Sequence, residues 1–325
     1  MQNFTLSTKI EIDFLPRRLH WSPDYTCLIT TSYSNNLQIL DFQNTNEINV
    51  KLDKKFPTTV TNCCWYPLMK VSEAASCCFA CVCPFNPIFL IDSISGRIRS
   101  SYRCQFNGDR PASLTTVCFN GASILAGGTR NLYECDIQRS DRLGEPAIEC
   151  PGSVMSISPH PTSACIAVGV STGDIVFIDS RNYQVLENEK FHLHSIDQIE
   201  WYGDFFVFSS ARLENEVIGI DTRMPAVPSI VVETNRKSSR PVSLSIGDDL
   251  LFVGNENSEA LVFDLKNEAK LIGKVGDEET PYAVYNKVLK KVVAASGKHV
   301  IVENEEEDEI DVTYEPKLKT FGVYG

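Results

Sequence analysis

Arginine, lysine and asparagine side chains recur in the polar turns that separate the apolar runs of this chain. A guanidinium group is planar, so it binds phosphate oxygens through paired hydrogen bonds and stacks on exposed bases. The candidate side chains for such contacts are Asn86, Arg103, Arg130, Arg212, Arg223, Lys237 and Arg240. They form one binding surface only if the fold brings their turns to the same side of the molecule.

The twelve cysteines raise the question of a metal site or disulfides. The run 77 CCFACVC 83 reads as a strand, in which Cys77, Cys81 and Cys83 share one face and Cys78 faces the other. Zinc ligands normally come as pairs from compact loops, and no histidine lies near this run. We therefore expect reduced thiols that serve as small core residues, no metal and no cofactor.

A recurring aspartate identifies the elements that position the turns. It closes an apolar run six times, at intervals of 51, 44, 43, 42 and 43 residues: Asp41, Asp92, Asp136, Asp179, Asp221 and Asp264. Periods of about 40 to 45 residues with several short strands are typical of WD-type β-propellers. Alternating and β-branched runs bounded by Gly, Pro, Asn and Asp support an all-β chain. The sequence predicts a seven-bladed WD-type β-propeller, its last blade lacking the closing Asp.

We expect a single propeller domain over residues 1–302, because all-β domains of this size commonly form one unit. A ring with an unpaired edge invites aggregation, and residues 9–16 are the candidate strand that completes the last blade. Residues 303–325 hold eight acidic residues against Lys317 and Lys319, a net of −6 out of the chain's −12. Such a run predicts a flexible acidic tail, with contact to a basic partner as the alternative. The start of the chain has no signal-peptide pattern, and we expect a soluble intracellular protein.

Catalytic motifs are missing from the sequence. It has no Gly-rich phosphate loop, no Gly-x-Ser-x-Gly elbow and no His-Glu-x-x-His motif. His194 and Ser210 resemble part of a triad, but WD blades use such a pair as an internal hydrogen-bond network. We expect a non-enzymatic recognition protein.

In a propeller, the turns from second to third strand and the connections between blades share one rim. On this interpretation Asn86, Arg130, Asn131 and Arg212 occupy the first kind of turn. The second kind holds Arg103, Arg110, Arg139, Arg142, Arg223, Arg236, Lys237 and Arg240. The convergence of these side chains predicts a local basic patch on an acidic protein.

Four strings carry a resemblance to a known family. They are 14 FLPRRLHWSPDYTCLITTS 32, 64 CWYPLM 69 with Asn86 to Arg103, 210 SARLENEVIGIDTR 223, and 294 AASGKHV 300. They resemble the telomerase Cajal body protein family, most strongly in blades one, two and five. The resemblance implies a WD-repeat protein that binds loop motifs of small Cajal body RNAs and telomerase RNA and assists ribonucleoprotein localisation or assembly. Arg130 and Arg212 are the first candidates for RNA contact.

The implied partners are box H/ACA ribonucleoprotein or telomerase, and the implied location is the nucleus, in Cajal bodies, with the cytoplasm as an alternative. We expect a monomer without membrane contact. The competing hypothesis is a WD-repeat scaffold that binds proteins across the same rim without direct RNA binding. The family usually has a long N-terminal region and often a Pro/Gly-rich tail, and this chain differs from that pattern.

Overall fold

The computed structural model describes residues 2–3, 6–11, 14–43, 48–106, 110–235, 240–276, 279–296 and 320–324. Every regular element in these ranges is a β-strand, as the alternating runs predict, and no helix in them could span a membrane. The strands are β1 Gln2–Asn3, β2 Leu6–Glu11, β3 Pro16–Trp21, β4 Cys27–Ser32, β5 Asn36–Asp41, β6 Asn49–Lys55, β7 Asn62–Trp65, β8 Cys78–Val82, β9 Ile88–Asp92, β10 Ile98–Phe106, β11 Arg110–Pro111, β12 Leu114–Asn120, β13 Ser123–Gly128, β14 Asn131–Asp136, β15 Leu143–Glu149, β16 Val154–Pro159, β17 Cys165–Val170, β18 Asp174–Asp179, β19 Val185–Lys190, β20 Ile196–Tyr202, β21 Phe206–Ala211, β22 Glu216–Asp221, β23 Ile230–Glu233, β24 Leu244–Gly247, β25 Leu250–Val253, β26 Ala260–Asp264, β27 Lys270–Val275, β28 Tyr282–Asn286, β29 Lys291–Ser296 and β30 Thr320–Tyr324.

Strands that follow each other along the chain pair antiparallel in meanders of four. Three such sheets are β3-β4-β5-β6, β16-β17-β18-β19 and β20-β21-β22-β23, and a fourth is β24 to β27 with β1 added in parallel to β27. The meanders β7 to β10 and β12 to β15 form one nine-stranded sheet with β11, because β10 and β15 pair in parallel through Arg103 and Leu143. Each meander has one exposed outer strand and one inner first strand.

The first strands pack against one another in a closed ring. They contact each other in chain order, and β28 contacts β3: β3, β7, β12, β16, β20, β24 and β28. Side chains bridge neighbours in this ring, as where Asn62 Nδ2 donates to Thr116 Oγ1 (2.8 Å) and Gln198 Nε2 donates to the Leu244 carbonyl (2.8 Å). The architecture is all-β and consistent with a β-propeller, and the count of seven blades stays a prediction.

The core lies between adjacent sheets. Tyr102, Phe119 and Tyr133 belong to the buried cluster between the β7–β10 and β12–β15 meanders. Phe208 and Phe263 belong to the corresponding cluster between the β20–β23 and β24–β27 meanders. Because aromatic side chains each bury a large apolar area, these clusters hold every sheet to its neighbours rather than to a single centre.

The recurring aspartates end the third strand of six meanders. Each carboxylate accepts a hydrogen bond from the backbone N–H two residues later, at 2.8 to 3.0 Å: Asp41 from Gln43, Asp92 from Ile94, Asp136 from Gln138, Asp179 from Arg181, Asp221 from Arg223 and Asp264 from Lys266. Such bonds fold the chain back into a turn. The aspartate therefore recurs once per meander because it forms the turn between the third and fourth strands.

The last sheet combines distant parts of the chain in the order β2-β30-β29-β28. The sequence analysis expected residues 9–16 to complete this last blade. Leu6–Glu11, which overlaps the expected segment at residues 9–11, pairs with Thr320–Tyr324, and Thr320–Tyr324 pairs with Lys291–Ser296. Part of the segment assigned to a flexible tail is thus a strand, and residues 303–319 lie outside the described residues.

All twelve cysteines are free, and ten are buried. As the alternation predicts, Cys77, Cys81 and Cys83 enter one core cluster and Cys78 enters another. Burial raises the pKa of Cys64 and of Cys83 to about 11, so both stay protonated at neutral pH. No metal-binding group of His, Cys, Asp and Glu occurs in the described part of the chain.

Candidate functional site at the arginine cluster

Four arginines from one strand, one turn and one connection converge where the first strands begin. Arg17 and Arg18 lie on β3, Arg212 follows β21, and Arg240 precedes β24. We call them, with Tyr33 and Tyr282, the arginine cluster. The Arg17 guanidinium lies 5.6 Å from the centre of the Tyr33 ring, and that of Arg240 lies 5.8 Å from the Tyr33 ring and 5.9 Å from the Tyr282 ring. These distances allow cation–π attraction on both rings.

A buried carboxylate organises the cluster. Arg212 Nε donates to Asp197 Oδ1 at 2.7 Å, and an Arg18 amino group donates to the Asp197 carbonyl at 3.4 Å. Burial lowers the pKa of Arg17 below its usual value, and the positive charges of Arg18 and Arg212 lower it further, while Tyr33 and Tyr282 oppose this. Like charges repel one another, so an incoming anion would relieve the repulsion between these guanidinium groups.

The cluster lies at one end of the sheets, which we call the arginine rim. First strands begin there, fourth strands end there, and antiparallel pairing places the turns between second and third strands at the same end. Asn86, Arg130, Arg212 and Arg240 lie on it in turns or connections, and Arg103, which was expected in a connection, lies near this end on strand β10. Arg130 occupies its turn with a positive φ of 58°. It forms an ion pair with Glu149 at 3.0 Å, and both side chains are exposed.

A second feature of the arginine rim is a cavity of about 290 Å³ between Phe85, Asn86, Pro87, Arg103, Gln105 and Pro111. Phe85 is 68% exposed and has a positive φ of 59°, which is unusual for a bulky residue. Asn86 Nδ2 donates to the Pro84 carbonyl at 2.8 Å, which orients the amide. The arrangement offers an aromatic face, a guanidinium and an amide to a planar ligand.

Other predicted rim residues lie elsewhere. Arg139, Arg142 and Arg223 were assigned to connections between blades, but they occupy turns between third and fourth strands, at the opposite rim. Arg223 bonds to Asp221 at 2.9 and 2.6 Å and lies 4.6 Å above the Phe205 ring. The error came from reading each closing Asp as the end of a blade, when a fourth strand follows it. Arg236 and Lys237 lie outside the described residues, and Arg110 is on β11.

The histidine network also differs from the predicted pair. His192, not His194, bonds to Ser209, not Ser210, at 2.9 Å, and its other ring nitrogen contacts Glu214 at 2.6 Å. Ser209 and the ring of His192 are fully buried. Although burial raises it, the pKa of Glu214 falls to about 2 because of the His192 bond and charge and two backbone N–H bonds. The group ties the β19–β20 connection to the β21–β22 turn.

Sequence reasoning missed Arg17, Arg18, Tyr33 and Tyr282. Arg17 and Arg18 stand inside the otherwise apolar segment 14 FLPRRLHW 21, where two adjacent charges contradict the strand pattern. That contradiction was the available signal, because a charged pair on an inner strand needs a partner. The tyrosines carry no comparable signal, since Tyr33 and Tyr282 meet only in the folded ring, with 3.4 Å between their hydroxyls.

Curated proteins similar to this chain share one name. Telomerase Cajal body protein 1 of Mesocricetus auratus is 24% identical over 79% of this chain, and the match covers 52% of that protein. The protein of that name in Bos taurus is 24% identical over 90% of this chain and 60% of its own length. The Drosophila melanogaster homologue of that protein is 21% identical over 80% of this chain and 52% of its own length.

The chain spans about half the length of the curated relatives it matches. No family profile matches it. The similarity covers most of this chain at modest identity, and it supports the same family that the four sequence strings indicate.

Proposed function

We propose that this chain, a member of the telomerase Cajal body protein family, is a non-enzymatic seven-bladed WD-repeat protein that binds single-stranded RNA at the arginine cluster. The RNA is a loop of a small Cajal body RNA or of telomerase RNA. Through it the protein assists the localisation or assembly of box H/ACA ribonucleoprotein in nuclear Cajal bodies.

The observation that carries the proposal is that Arg17 and Arg240 lie against two tyrosine rings while Arg18 and Arg212 meet at the neighbouring Asp197. Protein contacts with phosphate supply most of the affinity for RNA, while unpaired loop bases stack on aromatic and guanidinium planes. A cluster with both kinds of group matches a single-stranded ligand better than a duplex, whose bases are already stacked. The chain's net charge of −12 then restricts RNA to this local patch.

The Phe85 cavity extends the proposed surface. It lies on the same rim, and its Arg103 forms no ion pair among the described residues. A loop whose phosphates contact the arginine cluster could place one unstacked base against Phe85. Arg223 is left out of the proposed site because Asp221 already holds it on the opposite rim.

The test is RNA binding measured by fluorescence anisotropy, with a small Cajal body RNA loop and an unrelated hairpin of equal length. Arg240→Gln should weaken loop binding by about 1 to 3 kcal/mol and reduce the salt slope by about 0.7 per lost phosphate contact. Arg181→Gln is the matched control, since Arg181 is 75% exposed in a turn of the opposite rim.

Equal affinity for the loop and the unrelated hairpin would refute recognition of the loop. Equal weakening by Arg240→Gln and Arg181→Gln would remove the arginine cluster from the site. Thermal denaturation of both variants checks that the fold is intact.

Exposed apolar side chains on the opposite rim favour a second function, a protein-binding scaffold. Met224 and Val227 are 71% and 61% exposed beside Phe205 and Arg223. Solvent-exposed apolar groups of this kind often contact proteins. Loss of a protein partner with Met224→Ser, while RNA binding persists, would assign a separate role to this rim.

A further inference from the structure

A second cavity opens where the first strands end, on the side away from the arginine cluster. Its volume is about 290 Å³, and we call it the channel cavity because residues of β3, β20, β24 and β28 line it. Glu200 is the carboxylate in its lining. The RNA proposal makes no use of this cavity.

Neighbouring groups fix the position of Glu200. Gln198 Nε2 donates to Glu200 Oε1 at 2.8 Å, while the same amide bonds to the backbone carbonyl and N–H of Leu244 at 2.8 and 3.0 Å. Because Gln198 is held at both ends of its amide, it holds the carboxylate in turn. In the described part of the chain no Lys, Arg or His forms an ion pair with Glu200.

Aromatic surface surrounds this carboxylate. Trp21, Tyr25, Trp201 and Tyr285 line the cavity, and the rings of Trp21 and Tyr25 are 6.4 Å apart. The indole N–H groups are already bonded, that of Trp21 to the Val284 carbonyl and that of Trp201 to the Ser158 carbonyl. The tryptophans therefore present carbon surface to a ligand rather than hydrogen-bond donors.

His20 contributes no positive charge to the channel cavity. It lines the channel cavity, and its Nε2 atom is shielded from solvent without a hydrogen-bond partner. Burial and the charge of Arg18 lower the pKa of His20 to about 4, although a hydrogen bond with Asn62 opposes this, so the ring is neutral at physiological pH. A neutral imidazole does not repel a cationic ligand.

We propose that the channel cavity binds the arginine side chain of a partner protein. A guanidinium stacks on aromatic rings and donates paired hydrogen bonds to a carboxylate, and it gives up its water more readily than an ammonium does. In the proposed complex Glu200 pairs with the positive charge of the guanidinium, and the aromatic side chains cover its planar faces. The interaction is separate from RNA binding, which uses the other end of the first strands.

The exposed side chain of Lys287 also lines the cavity, and its positive charge competes with a guanidinium ligand for Glu200. Burial raises the pKa of Glu200 to about 7, and the Gln198 bond and the charge of Lys287 oppose that rise. The other titratable groups around it are His20, Tyr25 and Tyr285. The pKa of His20 is about 4 and those of both tyrosines are raised, so none of these three titrates between about pH 6 and pH 8.

The experiment uses the full chain and two peptides, acetyl-Gly-Arg-Gly-amide and its lysine counterpart. Two of the three tryptophans line the cavity, so intrinsic fluorescence reports occupancy, and calorimetry gives the stoichiometry. We expect saturable 1:1 binding of the arginine peptide that strengthens from about pH 6 to pH 8 as Glu200 ionises. Glu200→Gln should weaken it about tenfold or more, while Glu187→Gln on the outer strand β19 should not.

Lys287→Met is a second variant at an exposed position, and it should tighten the arginine peptide because the competing charge is gone. Absence of saturable binding, or equal affinity in Glu200→Gln and Glu187→Gln, would overturn the proposal. Stronger binding of the lysine peptide would overturn the assignment to arginine. RNA affinity should be the same in wild type and Glu200→Gln, which separates this result from failure of the RNA proposal.

Discussion

Arg212 illustrates two roles that one side chain can hold at once. Its guanidinium neutralises Asp197, whose side chain is fully buried, and it also belongs to the proposed RNA surface. Removing one partner of a buried pair leaves an uncompensated charge, which is costly in itself. Arg212→Glu would therefore lower stability as well as affinity, so its RNA affinity has to be compared with its melting temperature.

Glu214 gives a prediction for acid stability. Its folded pKa of about 2 lies below the usual 4.5, so its ionised form stabilises the fold above that usual value. This contribution is lost as pH falls from about 4.5 towards 2, because the unfolded chain then takes up the proton more readily than the folded chain.

Melting temperatures of wild type and Glu214→Gln should differ most above about pH 5 and converge as the solution becomes more acidic. Glu216→Gln is the control two residues away, on β22. A constant difference between wild type and Glu214→Gln at all pH values would contradict the role of the ionised carboxylate.

At the scale of elements, the parallel contact of β10 with β15 depends on a residue without a side chain. Gly144 pairs with Cys104 there, and a Cβ atom at Gly144 would lie 2.6 Å from the Cys135 sulfur and 2.7 Å from the Cys104 sulfur. Those sulfurs are 3.7 Å apart and buried. The two meanders approach closely because nothing but glycine fits between their thiols.

Gly144→Ala should lower the free energy of unfolding by about 1 to 3 kcal/mol through overpacking. Adding Cys135→Ala should recover part of this loss, because the new methyl group then occupies the space of the sulfur. Adding Cys118→Ala, another buried thiol, should give additive losses. Chemical denaturation of the single and double variants measures the coupling, and additive losses for the Gly144 and Cys135 pair would disprove the packing argument.

The elements also show how far the sequence could be read. The Asp period and the alternating runs predicted an all-β chain and correctly placed Asn86, Arg130 and Arg212 in turns between second and third strands. The fourth strands were not recognised in the sequence, since outer strands such as Val185–Lys190 are largely polar and exposed and lack a clear apolar run. That omission put Arg223 at the wrong rim. Arg17 and Tyr282 could not be joined from sequence, because local pattern carries no information on contacts across the ring.

At the scale of the whole molecule, the ring depends on strands far apart along the chain. Thr320–Tyr324 lies between Leu6–Glu11 and Lys291–Ser296 in the last sheet. Without it, β29 would expose a row of unpaired backbone groups, which invites aggregation.

Deleting residues 320–325 should therefore lower the melting temperature strongly and produce oligomers in size-exclusion chromatography. Replacing Glu305, Glu306 and Glu307 together by Gln tests charge in the preceding acidic segment without shortening the chain, and it should leave the melting temperature near wild type. An unchanged melting temperature and a monomeric profile after the deletion would show that this strand is dispensable for closure.

The hydroxyl groups of Tyr33 and Tyr282 meet across 249 positions of sequence. The two rings therefore come together only after the chain between them has been synthesised, and a product that ends before Tyr282 presents its arginines without that ring. If RNA binds at the arginine cluster as proposed, binding would discriminate against such truncated products.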